Sequence, residues 1–394
     1  MIRKITINGF KSIPEMTLEL GRVNCFIGAN GVGKSNILEA IGVLGAAANG
    51  VVDDEALLRR GVRPGLPRLY KSSFETERTP AHIAISASGI NKQEYRISLL
   101  NPLENPEPAW AFKTEFLTDD GKNEIVSDGV RGKKNLDSTQ GLAALKILEL
   151  NKENKAFKLM RRLQNYAIYS PNTPALRGMV GDPQSREPVG LSGGRLAEAF
   201  AELRKDILDK DEDLLNSVFE LVDWVVDIEA TNAAGSLLSP SVARTQEVLK
   251  FTDRYMRKER NTLTASDASE GALYVLFTAI LCLSPKSPRL FAIDNLDQAL
   301  NPRLVTRLTS KLGEWLNLVN KKGRQILFTA HNPAVLDGLD LTDNEIRLFA
   351  VDRNSDGHTR VNRILLTDRL AALNNDYPLS RLWLMGSLGA IPNV

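Results

Sequence analysis

Eight consecutive residues near the start of the chain carry the clearest chemistry. Gly28-Ala29-Asn30-Gly31-Val32-Gly33-Lys34-Ser35 follows the spacing G-x-x-x-x-G-K-S. Glycines let the backbone wrap an anion with its N–H groups turned inward, the lysine can reach the β- and γ-phosphates, and the serine hydroxyl can ligate Mg²⁺. The pattern therefore predicts a loop that binds ATP and Mg²⁺. Its predicted nucleotide contacts are Asn30, Gly31, Gly33, Lys34, Ser35 and Asn36.

The elements that must position this loop are present on both sides of it. Val23–Ile27 has the apolar composition of a buried strand, and Ser35–Ile41 has the pattern of a helix. The N-terminus of such a helix faces the phosphates, where its N–H groups and its dipole favour an anion. A chance glycine turn would lack this strand–loop–helix context, so we interpret the motif as functional.

Two later strands end in polar residues that suit the same site. Asp294 follows the apolar strand Leu290–Ile293, and His331 comes shortly after the strand Gln325–Thr329. An aspartate beside the phosphate loop can hold Mg²⁺ through water. A histidine at the neighbouring strand end can contact the γ-phosphate and the attacking water. A lone histidine is more often structural, but the order of the motifs favours a catalytic role for Asp294 and His331.

The rest of the chain divides into a β-rich part and a helical part. A hairpin is predicted over residues 2–7 and 16–20, and an antiparallel β-layer over His82–Ala87, Glu94–Leu99 and Trp110–Leu117. Helical periodicity covers Leu142–Arg162, Gly194–Val226, Thr245–Leu263 and Ala272–Leu283. The strand–helix–strand order near residues 290–329 favours a parallel sheet.

These elements predict an α/β fold with a mixed or parallel sheet around the phosphate loop, an antiparallel β-layer and a helical lobe. We expect a first ATPase lobe over residues 1–165 and a helical lobe with the signature over 166–285. Residues 286–394 complete the ATPase core and the C-terminal tail. The tail contains an apolar stretch at residues 382–391, which we expect to pack on its own core more readily than on a partner.

Composition sets broad limits on the class of protein. The 394 residues are 43% apolar, with 50 basic and 48 acidic side chains and a net charge of +2. No apolar run approaches the roughly 20 residues that span a bilayer. The first residues alternate like a strand and do not resemble a signal peptide. Cys25 and Cys282 lie in apolar segments, which is typical of buried thiols in a reducing compartment. We therefore expect a cytoplasmic protein.

The order of phosphate loop, strand-end aspartate and strand-end histidine resembles ABC-type ATPase heads. Within them the chain is similar to the SMC/RecF/OLD group and to AAA_21-like ATP-binding proteins, more loosely in its middle third. The segments that carry this resemblance are Asn8–Ile13, Gly28–Asn36, Tyr169–Pro171 with Leu176–Gly178, and Phe328–Pro333. The resemblance implies ATP-driven dimerisation, with two nucleotides held between two heads or within a higher assembly.

Such heads also need a signature segment that touches the γ-phosphate of the opposite subunit. Leu191-Ser192-Gly193-Gly194 spells the transporter-type signature, but it lies about a hundred residues before Asp294. Ser269 and Gly271 lie close before Asp294 and begin the helix that leads towards it. Their position at a helix N-terminus would point N–H donors at an anion. We therefore predict Ser269 and Gly271 as the signature. We interpret Leu191–Gly194 as a chance match that forms a loop and cap before a helix over Arg195–Leu208.

One departure from the family pattern affects catalysis. The family places a glutamate after the Mg²⁺-binding aspartate, and this chain has Asn295 there. An asparagine cannot accept a proton as a general base, although it can position water by hydrogen bonding. Asp297 is a possible substitute, yet it aligns with a threonine of the family and precedes the inter-subunit loop Ala299–Asn301. The hypothesis is slow ATP turnover and a long-lived ATP-bound dimer.

Several features leave alternatives open. Gln140 and Gln164 each have a case as the glutamine that completes the metal shell in this family, and each also fits a surface polar residue. Two basic clusters could contact DNA or RNA, although a charged run is more often a solvated helix face. The first consists of Lys152, Lys155, Lys158 and Arg162; the second consists of Arg254, Arg257, Lys258 and Arg260.

What the sequence lacks narrows the function. The interval between the two halves of the head is too short for a long SMC-type coiled coil, and we expect no C-terminal Toprim nuclease domain after His331. The chain resembles ATPase subunits of bacterial anti-phage defence systems, such as the Septu or PARIS type, which imply a separate effector, often a nuclease. This step is fold-level analogy. The alternative is a RecF-like DNA-repair ATPase that DNA stimulates. No membrane partner is expected.

Overall fold

The computed structural model describes residues 1–75, 77–128, 137–182, 184–232, 247–318 and 323–388. Within these ranges the strands are β1 Ile2–Phe10, β2 Ile13–Glu19, β3 Val23–Ile27, β4 Ile83–Gly89, β5 Glu94–Leu100, β6 Ala111–Thr118, β7 Glu124–Asp128, β8 Ile168–Tyr169, β9 Val225–Asn232, β10 Glu247–Asp253, β11 Thr262–Thr264, β12 Leu290–Ile293, β13 Gln325–Ala330, β14 Ile346–Arg353 and β15 Thr359–Ile364.

The α-helices of the described residues are α1 Lys34–Ala48, α2 Asp54–Leu58, α3 Pro67–Tyr70, α4 Leu142–Lys146, α5 Lys155–Gln164, α6 Thr173–Leu176, α7 Leu196–Asp206, α8 Glu212–Phe219, α9 Glu270–Leu283, α10 Pro302–Leu318, α11 Asp368–Asp376 and α12 Leu379–Leu384.

The core sheet has the strand order β15-β14-β3-β13-β12-β8. All of its pairs are parallel except β14 with β15, so the predicted parallel sheet is confirmed. Ile27 pairs with Ala330 on one side and with Ala350 on the other, and Ile293 pairs with Phe328. The strands β3, β12 and β13 therefore end at one edge of the sheet. Their continuations, which carry the phosphate loop, Asp294 and His331, must meet there.

A second six-stranded sheet, with the order β2-β1-β4-β5-β6-β7, is antiparallel throughout and contains the predicted hairpin and β-layer. Its apolar face packs with α1, α5 and one face of the core sheet in a single buried cluster. The other face of the core sheet packs with α7, α8, α9, α10 and α12 in a second cluster. The helix α1 is buried along nearly its whole length because both sheets cover it.

The helix predicted over Thr245–Leu263 is wrong for the part that the structure describes. Residues 247–253 form β10, which pairs with β9 on one side and with β11 on the other. The second basic cluster therefore lies in the turn between β10 and β11. The buried residues Val248, Leu249 and Phe251 pack in the second apolar cluster, so pairing with β9 overrides the local helical periodicity. Residues 245 and 246 lie outside the described residues.

The three predicted segments all contribute strands to the core sheet. The strand β3 comes from residues 1–165, β8 from 166–285, and β12 to β15 from 286–394. The boundaries themselves stay a prediction. Near the C-terminus, Leu382, Trp383 and Leu388 are buried in the second cluster, while Leu384 and Met385 are exposed. Residues 389–391 of the predicted apolar tail lie outside the described residues.

Two composition-based expectations can be compared with the structure. Cys25 and Cys282 are free and buried, as expected for unpaired apolar thiols. Among the described helices, none combines the length and the apolar character needed to cross a bilayer.

Candidate nucleotide-binding site

The phosphate loop connects β3 to α1 and has a backbone that only glycine adopts easily. Gly31 and Gly33 have positive φ angles of 77° and 105°. A Cβ atom on Gly33 would lie 2.1 Å from Thr359 Oγ1, and a Cβ atom on Gly28 would lie 2.2 Å from the Val351 carbonyl oxygen. The glycines therefore serve two purposes, because they allow the turn and let β14 and β15 pack against the loop.

A polar network holds the outer side of this loop. Thr359 Oγ1 donates to the Val32 carbonyl at 2.6 Å and lies 2.7 Å from Ser12 Oγ. Asn36 Nδ2 in turn donates to Ser12 Oγ at 2.7 Å. The predicted nucleotide residue Asn36 thus ties the first turn of α1 to the turn between β1 and β2. Its side chain contacts protein, which is a positioning role in this structure.

Lys34 lies across the loop with its ammonium group held by backbone oxygens. Its Nζ donates to the Gly28 and Ala29 carbonyls, both at 2.8 Å, and lies 3.2 Å from His331 Nδ1. Burial lowers the pKa of Lys34 to about 8, although Asp294 and Asp297 favour its charged form. The charge of this lysine is only partly compensated, so it is placed to bind an incoming phosphate.

Ser35 and Asp294 meet as the sequence predicts for a Mg²⁺ site. Ser35 Oγ lies 3.1 Å from Asp294 Oδ1 and 3.0 Å from Oδ2. Thr329 Oγ1 donates to Asp294 Oδ1 at 2.5 Å and accepts a hydrogen bond from Asn295 N at 2.8 Å. A hydroxyl and a carboxylate form an oxygen donor set that suits Mg²⁺, which prefers few protein ligands and keeps its waters.

Thr329 is a positioning residue that the sequence analysis includes in the segment Phe328–Pro333 but does not single out. Its side chain fixes the position of the Asp294 carboxylate and of the following backbone N–H. The only sequence signal is a hydroxyl residue near the end of an otherwise apolar strand.

A hydrogen-bond chain runs from Lys34 through His331 to Asn295. Nδ1 of a neutral His331 can accept from the Lys34 ammonium, and in that tautomer Nε2 carries the proton. His331 Nε2 therefore donates to Asn295 Oδ1, which lies 3.0 Å away. Burial, followed by repulsion from Lys34, lowers the pKa of His331, which agrees with a neutral ring. The Asn295 amide oxygen is occupied, and its N–H₂ group is left as a donor.

Asn295 also has a backbone conformation that suits its side chain. Its φ angle is +57°, in the left-handed region that asparagine tolerates better than most residues. The residue lies at the place where a water-activating base would stand. Because its oxygen accepts from His331, the position offers no proton acceptor to a water molecule.

Asp297 has a different role from the substitute base considered above. Its Oδ2 accepts hydrogen bonds from His331 N at 2.8 Å and Asn332 N at 2.5 Å. These two bonds fix the backbone of the histidine segment. Among the described residues, no donor contacts the buried Oδ1 of this carboxylate. Asp297 therefore positions His331, and its Oδ2 already accepts two hydrogen bonds.

The two signature candidates are in different environments. Ser269 precedes α9, and its hydroxyl makes no capping hydrogen bond. A Cβ atom on Gly271 would lie 3.3 Å from Leu304 Cδ2 and 3.5 Å from the Ala299 carbonyl oxygen, so this helix start lies beside the predicted inter-subunit loop. In contrast, Ser192 N and Gly194 N both donate to Asp182 Oδ2 at 3.0 Å. The contact with an opposing nucleotide stays a prediction for Ser269 and Gly271.

Neither candidate glutamine lies at the metal site. Gln164 is buried and donates from Nε2 to the Ala48 carbonyl at 2.9 Å, and Gly141 N, next to Gln140, donates to the Gly50 carbonyl. Both glutamines are thus near the C-terminal end of α1, about 20 Å from the phosphate loop at 1.5 Å per residue. The backbone nearest to Asp294 on this side belongs to Tyr169, whose carbonyl accepts from Asp294 N.

Arg63 is a second residue without a sequence signal. Its Nε donates at 2.6 Å to Glu39, which lies one helical turn after Ser35, and Lys11 also pairs with Glu39. The hydrogen bond with Glu39 raises the pKa of Arg63. The arginine side chain is 67% exposed, so its remaining N–H groups are free to face solvent beside the phosphate loop.

The first basic cluster is not a single helical face. Lys152 precedes α5, which begins at Lys155, and Arg162 is buried. Arg162 Nη1 donates to the Gly323 carbonyl at 2.8 Å and to the Arg289 carbonyl at 3.3 Å. Arg162 therefore holds chain segments together, while the lysines remain exposed.

Comparisons with known proteins show the family to which this chain belongs. The family model AAA_21, described as "AAA domain, putative AbiEii toxin, Type IV TA system", matches residues 23–337, well over half of the chain. This range includes the phosphate loop, Asp294 and His331.

Curated relatives match over shorter stretches. A DNA replication and repair protein RecF from Renibacterium salmoninarum is 29% identical over 140 residues, which are 34% of this chain and 34% of that protein. A RecF from Paenarthrobacter aurescens is 33% identical over 104 residues, or 26% of this chain and 25% of that protein. The chain thus spans about a third or less of these relatives.

Among solved structures, an SmcHead bound to the C-winged helix domain of ScpA matches 93% of this chain and 98% of its own, with a TM-score of 0.56 and 14% identity. At this identity the likeness concerns the fold alone. Phosphate loop, strand-end residues, family model and fold agree with one another. The chain therefore belongs to the AAA_21 family and is an ATPase of the SMC/RecF type with the fold of an ABC-type head.

Proposed function

We propose that this ATPase works as a slow, ATP-gated switch. Two copies close around two Mg²⁺-bound ATP molecules, and the closed dimer holds or releases a separate effector. In this proposal Lys34 and the loop residues Asn30, Gly31 and Gly33 bind the phosphates, while Ser35 and Asp294 hold the Mg²⁺. His331 senses the γ-phosphate through Lys34 and Asn295, to which its two ring nitrogens are bonded.

The observation that carries this proposal is the hydrogen-bond chain Lys34–His331–Asn295. His331 donates to the Asn295 amide oxygen, so only N–H₂ donors of Asn295 remain for the nucleotide. A donor at this place stabilises the negative γ-phosphate of bound ATP but cannot take a proton from the attacking water. ATP binding is thereby favoured over hydrolysis, as a long-lived switch requires.

Dimerisation is the second part of the proposal. Ser269 and Gly271 begin α9, a 14-residue helix whose N-cap serine makes no capping bond. The free N–H groups and the positive end of the helix dipole suit the γ-phosphate of an opposing subunit. The loop around Ala299 lies beside this helix start, so both would reach the partner together.

The effector is the least constrained part of the proposal. By analogy with ATPase subunits of bacterial anti-phage defence systems, we infer a cytoplasmic ATPase whose partner is a separate protein such as a nuclease. The printed description of the matching family, which mentions a type IV toxin–antitoxin system, supports this direction.

A RecF-like repair ATPase is the second candidate function. The curated relatives carry the name DNA replication and repair protein RecF, and this observation favours it. The two functions differ in their response to DNA, because a repair ATPase should hydrolyse ATP faster on generic DNA. A switch should not respond to it.

The decisive experiment measures steady-state ATP turnover of the native chain and of Asn295→Glu, each with and without duplex DNA, with Lys34→Ala as the background control. We expect slow native turnover and a rise of about 100-fold or more in Asn295→Glu, because the glutamate restores a general base. Fast native turnover that Asn295→Glu does not increase would contradict the switch. Stimulation of the native chain by DNA would favour the repair function.

A further inference from the structure

A wide groove opens at the edge of the core sheet opposite to the phosphate loop. Its volume is about 1270 Å³. Arg289, which precedes β12, lines the groove, whereas Asp294 follows the other end of that strand. A strand advances about 3.3 Å per residue, so the groove and the Mg²⁺ site lie on the order of 15 Å apart through the sheet. The groove is therefore separate from the nucleotide site.

Five separate segments of the chain line this groove. They are Met1, the turn between β4 and β5 at residues 90–93, residues 152–165 around α5, residues 185–187 and the turn at residues 285–289. A concave surface that several segments build together is different from the solvated face of one helix.

Cations dominate the lining of the groove. Eight lining residues are lysine or arginine and two are glutamate. Of the two glutamates, Glu153 pairs with Lys158 inside the groove, but Glu187 pairs with Arg195, which does not line it. Of the eight cations, Lys158 and Lys286 pair with a carboxylate, the latter with Glu202 outside the groove, so the lining keeps a net positive charge.

Three of these cations are free to bind a ligand. Lys152, Lys155 and Arg289 are exposed, and no carboxylate pairs with any of them in the part of the chain that the structure describes. Lys155 is the first residue of α5, and Arg289 belongs to a different segment of the lining, the turn before β12. Free cations thus come from two separate segments of the groove.

The groove lining also includes the buried Arg162 and the N-terminal residue Met1. Arg162 is buried and bonds to two backbone carbonyls, and burial together with Arg289 lowers its pKa to about 10. Burial lowers the pKa of the Met1 α-amino group to about 5, and Arg162 contributes to this shift. Arg162, Arg289 and the Met1 amino group repel one another here, so a negatively charged ligand would relieve this repulsion.

We propose that this groove binds the phosphate backbone of a nucleic acid. Nucleic-acid backbones are recognised mainly by lysine and arginine, with asparagine, glutamine and serine as further donors, and Asn91, Gln93, Asn165, Ser185 and Ser287 line the groove among the cations. The lining combines the exposed Lys152 and Lys155 with the buried Arg162, and several cations in one groove suit a polymer with many phosphates better than one small anion. This proposal goes beyond ATP gating and does not depend on hydrolysis.

The other basic cluster provides the matched control. Arg257, Lys258 and Arg260 are exposed on the turn between β10 and β11, and they have no carboxylate partner among the described residues. They do not line the groove. The triple variants K152E/K155E/R289E and R257E/K258E/R260E therefore make the same change in net charge at two different places.

The test is fluorescence anisotropy without nucleotide, using labelled duplex DNA, single-stranded DNA and single-stranded RNA of about 30 nucleotides over a salt series. We expect the native chain to bind at least one of these probes. The groove variant should bind it at least 30-fold more weakly, with a salt slope smaller by about 2 to 3, because each lost phosphate contact removes about 0.7–0.9 from the slope. The control variant should stay within about threefold of the native chain.

Two results would overturn the proposal. One is that the native chain binds none of the three probes at low salt. The other is that both triple variants weaken binding equally, which would mean that only net charge matters. ATP binding and the melting temperature of both variants should match the native chain, so a failure of the groove is distinguishable from a failure of the ATP switch. The probe that binds most tightly identifies the kind of nucleic acid.

Discussion

Two helices of this protein begin beside a serine and a glycine, and their N-termini differ in one respect. Before α7, the N–H groups of Ser192 and Gly194 are taken by the carboxylate of Asp182. Before α9, Ser269 makes no capping bond, and no acceptor among the described residues contacts the N–H groups of Glu270 and Gly271. The segment that spells the transporter-type signature is thus already satisfied within its own chain. The segment without that spelling keeps its donors free.

This difference indicates that free backbone N–H donors decide whether such a segment can bind an anion. A match to the signature sequence does not decide it. The Asp182 carboxylate binds loop N–H groups just before Arg195, the N-cap residue of α7, and so stabilises the fold, whereas a helix N-terminus with free N–H groups can bind an external anion. Each of the following changes should affect one helix start and spare the other.

The largest expected effect is on dimerisation. Ser269→Asp keeps a good N-cap residue but places a carboxylate where the opposing γ-phosphate should bind. We expect the ATP-dependent dimer to weaken about 100-fold, or about 2.7 kcal/mol, while the monomer stays folded. Sedimentation with Mg²⁺-ATP measures the dimer.

The matched variant for this prediction is Ser192→Asp. Its new carboxylate lies beside Asp182, so we expect a loss of about 1 kcal/mol in folding stability and an unchanged dimer. The opposite pattern, in which Ser192→Asp abolishes the dimer and Ser269→Asp does not, would exchange the roles of the two helices.

The second effect compares two glycines, Gly193 before α7 and Gly271 in the first turn of α9. Gly193 has a φ angle of 99°, and an added Cβ would lie 2.3 Å from Leu176 Cδ2. We expect Gly193→Ala to reduce the free energy of unfolding by about 2–3 kcal/mol, since both the backbone and the packing are strained. Gly271 lies in the first turn of α9, and its nearest contact would be 3.3 Å away. Gly271→Ala should change stability by less than about 1 kcal/mol.

Urea denaturation of the two alanine variants measures this difference. Equal destabilisation of both would mean that the start of α9 is as tightly packed as the start of α7.

The third effect concerns the Asp182 carboxylate, which accepts hydrogen bonds before α7. Asp182→Ala removes the acceptor of two N–H groups and should cost about 1–2 kcal/mol of folding stability. ATP-dependent dimerisation should be unchanged, because the N-terminus of α7 does not face the nucleotide in our proposal. Asp182→Asn retains one oxygen acceptor and serves as the milder control. A thermal melt and the sedimentation assay together check this prediction. Loss of the dimer without loss of stability would be inconsistent with it.

The smallest effect extends the comparison to a third helix start, that of α1. Its anion-binding cation Lys34 has a pKa lowered to about 8. ATP prefers the charged lysine, so affinity is full below pH 8 and is lost as the pH rises through that value. We expect ATP to bind about twofold more weakly at pH 8 than at pH 7, and about tenfold more weakly at pH 9.

Titration of a fluorescent ATP analogue at several pH values measures this change. Lys34→Arg keeps a charge that does not titrate in this range, and its affinity should be flat. A native affinity that is also flat up to pH 9 would show that Lys34 stays charged.

Local sequence patterns predicted much of the nucleotide site. The strand β12 begins and ends where predicted, and β13 and α9 differ from the prediction by one or two residues. These segments are strongly apolar and have clear ends, so their local pattern and their tertiary environment agree. The antiparallel β-layer was predicted for the same reason, since its strands alternate between buried and more exposed residues.

The predictions failed where partners distant in sequence decide the outcome. Residues 247–253 are a strand because β9 pairs with them, although their periodicity favoured a helix. Thr359 donates a hydrogen bond to the phosphate loop at Val32, which precedes it by 327 residues in the sequence. No local pattern predicts such a contact. Gln140 and Gln164 have the residue type that a metal site uses, but the fold places them at the far end of α1.

The sequence by itself determined that this protein binds a nucleoside triphosphate. Local spacing is enough to recognise the loop Gly28–Ser35, the strand-end residue Asp294 and the apolar strands between them. Only the tertiary structure decided what each polar group does, because a donor or acceptor is available only if no other part of the chain has bound it. For that reason the Asn295 amide oxygen is bonded to His331, the N–H groups just before α7 are bonded to Asp182, and among the described residues those at the start of α9 have no acceptor.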